Sequence, residues 1–106
     1  MHDPRFAPLA KVLIEAYEHA ASGKGADRHD ANGATIEDQP IVAFGRMLNS
    51  IDGHAYQVMK KAHEASLMAR RGNAQGAIAE MLGVINYAAA AIIVMRQQNS
   101  DAIASE

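Results

Sequence analysis

With 106 residues, a formal charge of −2 and no cysteine, the chain is bounded before any motif is read. The length fits a single domain, residues 1–106, near the lower end of autonomous folding. The near-neutral charge speaks against general nucleic-acid binding, and the lack of cysteine excludes disulfides, thiolate metal sites and cysteine nucleophiles. Alanine dominates the apolar residues and buries little area per side chain, so a monomeric core is expected to be thin and self-association to compensate.

Met1–Arg5 carries no basic stretch followed by an apolar one, so no signal peptide is expected there and the cytoplasm is the expected location. A first helix is predicted from about Ala7 to Ala21. Leu9, Val12, Leu13, Ala16, Tyr17 and Ala20 recur at helical spacing in it, while Lys11, Glu15 and Glu18 point elsewhere. Pro8 suits the first turn and Gly23 the terminating position. Residues 22–39 read as a long polar loop, with a tight turn at Asn32-Gly33.

A short helix follows from Pro40, with Asp38 as the expected cap and Ile41, Val42, Phe44, Met47 and Leu48 as its apolar set. Asp52-Gly53 is expected to break the chain before a third helix from about His54 to Arg71, ended by Gly72. Its inner face is expected to carry Ala55, Val58, Met59, Ala62, Ala65 and Met68. Asn73 then caps a fourth helix running to about Gln98, with 99–106 as a disordered tail.

From Met81 to Met95 that last helix is apolar on every side except at Asn86, and Gly83 and Ala88–Ala91 allow close backbone approach. A membrane span needs about 20 apolar residues, and this run is shorter, with Glu80 and Arg96 just outside it. No membrane contact is therefore expected. Burial by protein is, and one small chain has little to supply. The sequence thus predicts an all-α fold of three to four helices. Helices three and four form a long antiparallel hairpin in an oligomeric helical bundle, and the 74–98 helix lies at the subunit interface.

The residues with chemical promise cluster in the loop. Gly23 and Gly25 permit close backbone approach to an anion, Lys24 and Arg28 are suited to clamp phosphate, and His29 adds a donor. The Walker A spacing is absent, and a helix stop followed by a solvated loop is the competing reading. Of the adjacent Lys60 and Lys61, at most one faces any site. Lys60 has Glu64 at ion-pair spacing on an exposed face, and would supply a second cation if the loop folds back over this helix.

Glu15 and Glu18 form an E-x-x-E pair able to hold a divalent cation with matching carboxylates, but Gly83 and Val84 follow Glu80 and no second acidic pair exists. No histidines stand four apart, so no metal site is expected. Asn86 and Tyr87 either pair across subunits and set helix register, or line a pocket in which Tyr87 stacks on a flat ligand. Tyr17 offers another stacking face. No serine has a glycine-elbow context, and no catalytic residue is assigned.

The succession Gly-Lys-Gly-x-x-Arg-His (23–29), Glu-Asp-Gln-Pro-Ile (37–41), Gln-x-x-Lys-Lys-x-x-Glu (57–64) and Glu-x-Leu-Gly-x-Ile-Asn-Tyr-x-Ala (80–89) resembles a pattern in small uncharacterised all-α proteins of phages and prophages. That likeness spans about Leu13 to Met95 and implies a bacterial host cytoplasm without implying an activity. A weaker similarity is to the MazG-like all-α nucleotide pyrophosphohydrolases, which pair an E-x-x-E helix with a later E-x-x-D helix to hold magnesium. Glu15 and Glu18 match the first half, whereas Gly83 stands where the later aspartate belongs.

In size and helical build the chain is also similar to phage proteins that sequester cyclic nucleotide or ADP-ribose immune signals. The function expected from these features is non-catalytic binding of a phosphorylated nucleotide-type molecule, as an anti-defence sponge. The alternatives are a magnesium-dependent pyrophosphohydrolase and a protein-binding inhibitor or assembly module.

Overall fold

A computed structural model describes residues 3–22 and 35–105. Among the described residues the fold is all-α, with four helices: α1 (Ala7–Ser22), α2 (Pro40–Leu48), α3 (Asp52–Arg70) and α4 (Ala74–Ser105). Single 3₁₀ turns at Pro4–Phe6 and Ile36–Asp38 lead into α1 and α2. At Pro4–Phe6 the Asp3 carboxylate accepts from the Arg5 backbone N–H at 2.9 Å and pairs with its guanidinium at 2.7 Å. That pairing with Arg5 holds the exposed Asp3 carboxyl below its ordinary range.

Local chemistry sets the joints between helices. Gly72, at φ 82°, ends α3: its N–H donates to the Ala69 carbonyl at 3.1 Å, and the Asn73 N–H reaches back to Met68 at 2.9 Å. Asn73 also caps α4, its side-chain oxygen accepting from the Gly76 N–H at 2.9 Å, as the sequence predicts. Asn49 does at the end of α2 what Gly72 does for α3. It adopts φ 52°, donates to Arg46, and lets Ser50 reach the Gly45 carbonyl at 3.1 Å.

Three expectations at helix ends are corrected. Asp38 does not cap α2. The capping position is Gln39, without a side-chain bond, and Asp38 lies in the preceding 3₁₀ turn, 3.5 Å from Arg46. Asp52-Gly53 does not break the chain but forms the first turn of α3, with the Asp52 N–H bonded to the Ser50 hydroxyl at 3.0 Å. The last helix continues past Gln98 to Ser105.

All the other helices pack on α4. Its 32 residues make a rod of roughly 48 Å at 1.5 Å per residue, which accounts for the long axis of 51 Å. The core is thin. Val42, Ala90 and Val94 form its centre, with Ile41, Ile51 and Ile93 packed against them. Ala16, Ala65, Ala77 and Ala91 are the other buried apolar side chains.

The apolar faces read from the sequence are therefore only partly used. On α1, Ala16 is buried while Leu9, Val12, Leu13 and Tyr17 are exposed. On α2, Val42 is buried while Phe44, Met47 and Leu48 are exposed. On α3, Ala55 and Met59 fall on the outside. A helix carries a coherent apolar stripe whether its partner is in the same chain or another, so periodicity could not reveal this.

Candidate functional site

Four of the polar side chains that the fold draws inward lie in one row between α3 and α4. On α3, His54 and Lys61 are seven residues apart and so share a face, and Glu80 and Tyr87 stand at the same interval on α4. Lys61 Nζ lies 3.4 Å from Glu80 Oε2, with the two side chains only 14% and 21% exposed. The same ammonium sits 5.8 Å from the centre of the Tyr87 ring, where the negative face of the ring attracts it. Gly83 makes room for the lysine stem, since a Cβ there would stand 3.2 Å from Lys61 Cδ.

His54 ends the row. Its ring is buried, meets Tyr87 edge-on with centroids 6.4 Å apart, and brings Nε2 to 2.6 Å from the Ile41 carbonyl of α2. Nε2 therefore carries a proton and donates it to that carbonyl, and Nδ1 is buried without a partner. Gly45 is what admits the ring: a Cβ there would come within 2.6 Å of His54 Cε1 and 2.9 Å of Val94 Cγ2. One residue along from Tyr87, Asn86 donates from Nδ2 to the Ala16 carbonyl of α1 at 3.0 Å. Asn86 thus has its partner within the chain, and it ties α1 to α4.

This row fixes how three helices meet α4. A cleft of about 470 Å³ runs along α1, with Lys11, Glu15 and Glu18 in its lining. A second, of about 310 Å³, lies between Glu37, Arg46, Arg96 and Gln97. Neither touches His54, Lys61, Glu80 or Tyr87. Among the described residues no three metal-ligating side chains converge, so Glu15 and Glu18 have no third ligand there.

Of the ligand residues expected from sequence, Tyr17, Lys60 and Tyr87 are among the described residues. Gly23, Lys24, Gly25, Arg28 and His29 lie outside the described residues. Tyr17 is 71% exposed on α1, Lys60 is exposed on α3, and Tyr87 is half-buried in the polar row. Lys61, not Lys60, is the lysine at the Tyr87 ring.

Sequence reasoning missed His54 and Lys61 as inward residues. Their signal is present: His54, Val58, Lys61, Ala65 and Met68 are spaced alternately by four and three, the row that faces a packed helix. Fold and site together define an all-α chain in which a buried polar row aligns the helices around α4 and large apolar faces are left uncovered. Compared with family models, curated proteins and solved structures, the chain finds no match in any of the three.

Proposed function

We propose that the chain is a self-associating helical assembly module whose apolar faces are covered by further copies of itself. One observation carries this reading. Among the described residues sixteen large apolar side chains are 39–76% exposed, while the largest fully buried side chains are two valines, Val42 and Val94. Soluble monomers seldom leave contiguous apolar surface on this scale.

The stripe Phe6, Leu9, Leu13 and Tyr17 runs from the first 3₁₀ turn along α1 as far as Tyr17, and Phe44, Met47 and Leu48 form a second patch on α2. The polar row supports the same role, because it sets the angles at which these faces are presented.

Sedimentation and native mass measurement at micromolar concentration test the proposal. A discrete multiple of the 11.3 kDa chain is expected. A folded 11.3 kDa monomer would overturn it.

A further inference from the structure

The exposed side of α4 has a pattern of its own. Ile78, Met81, Ile85, Ala88, Ile92 and Met95 are spaced alternately by three and four, the repeat of a coiled-coil seam with isoleucine at every first position. The row faces away from the helices that pack on α4. Ile78 is 55% exposed, Met81 and Ile92 45% each and Met95 44%, with Ala88 exposed and Ile85 half-buried. Of the flanking positions, Ala77, Leu82, Val84, Ala89 and Ala91 carry no charge, and Arg96, beside Met95 at the end of the seam, is the charged one.

We infer that this seam pairs with the same seam of a second copy, antiparallel about a two-fold axis between Ile85 and Ala88. The inference rests on the self-association proposed above and specifies its surface. In a parallel pair, Ala88 would meet Ala88 and leave a gap at the centre. In the antiparallel pair, Ile78 meets Met95 of the second copy, Met81 meets Ile92, and Ile85 fills the space over Ala88. Every layer then combines one isoleucine with a methionine or alanine, and the helix dipoles oppose.

The area is sufficient. A fully exposed isoleucine or methionine side chain presents roughly 130 Å² of apolar surface, so the half-exposed row supplies about 300 Å² per chain. With interfaces roughly 60% apolar, that corresponds to about 1,000 Å² buried in the pair, the lower bound for a specific association. The stretch Ala74–Ser100, whose most apolar 18-residue window has a mean hydropathy of 1.9, is also long and apolar enough to cross a membrane by length and composition. Glu80, inside that stretch and paired with Lys61 of α3, favours a protein partner over lipid, where a charged pair is costly.

Because the chain has no cysteine, single-cysteine variants read the pairing directly. Ile78→Cys and Met95→Cys chains, mixed and mildly oxidised, are expected to give the mixed disulfide at least about tenfold over either homodimer. The double variant Ile85→Gln/Ile92→Gln is expected to shift the native mass downward while helix content is retained, since both residues lie on the outer face. Homodimeric cross-links from Ile78→Cys alone overturn the antiparallel pair. An oligomer that forms no mixed disulfide and survives the double variant overturns the seam but leaves self-association standing. A monomeric chain removes both, and so does partition into phosphatidylcholine vesicles without dimer in buffer.

Discussion

Replacing Gly45 by alanine tests the seat of His54 with a single methyl group. The new Cβ would stand 2.6 Å from His54 Cε1 and 2.9 Å from Val94 Cγ2, roughly 1 Å inside ordinary carbon contact. Neither neighbour has room to yield. Val94 is fully buried, and the imidazole is held by its bond to the Ile41 carbonyl at 2.6 Å. Overpacking of this kind costs about 1–3 kcal/mol, and moving the ring away forfeits a hydrogen bond worth about 1 kcal/mol. The exchange of glycine for alanine inside a helix returns about 1 kcal/mol. The net expectation is a loss of about 2 kcal/mol, or roughly 10 °C in Tm for a chain of this size.

The same substitution at Gly53, where a Cβ meets nothing within 4 Å, serves as the reference and is expected to be neutral or to stabilise by up to about 1 kcal/mol. Urea unfolding followed by far-ultraviolet circular dichroism, at matched protein concentration, measures both. Gly45→Ala as stable as Gly53→Ala would refute the placement of the ring.

The Lys61–Glu80 pair is mostly buried, so removing one partner leaves the other charge poorly solvated. Lys61→Met and Glu80→Gln are each expected to cost about 1–3 kcal/mol, below the range for fully buried pairs, with a coupling of about 1–2 kcal/mol in a double-mutant cycle. Strict additivity would show that the two side chains do not interact. Asn86→Ala removes the bond to the Ala16 carbonyl, and amide exchange in α1 is expected to speed up about five- to tenfold while that in α3 is unchanged. An equal change in both helices would mean that Asn86 does not specifically anchor α1.

The parts of the fold legible in the sequence are those written in a few adjacent residues. Gly72 ends a helix because its φ of 82° strains any other side chain, and Asn73 caps the next because its short oxygen reaches the Gly76 N–H. These signals are local, and so they were readable. Which face of each helix is covered depends on residues far along the chain. The inward placement of Lys61 is not legible from its sequence neighbours, because its partners, Glu80 and Tyr87, lie beyond the next turn. The exposure of Leu9 and Tyr17 was hidden for the opposite reason: an apolar stripe has the same period whether or not anything covers it. Asp38 failed as a cap because Ile36–Asp38 forms its own turn, which moves the capping position to Gln39.

The joint at Arg71–Asn73 has a consequence for the order of events when the chain folds. Closing a loop costs entropy that grows with its length, and this joint is among the shortest between helices. Asn73 helps to end one helix while starting the next, so forming either end pre-sets the other. The contacts between α3 and α4 therefore require the least chain to be gathered, and α3–α4 association is the early step. Docking of α1, whose tie to Asn86 spans 70 residues of sequence, comes later. On heating, the pair around Lys61 and Glu80 is expected to outlast the rest, with amide exchange in α1 rising first.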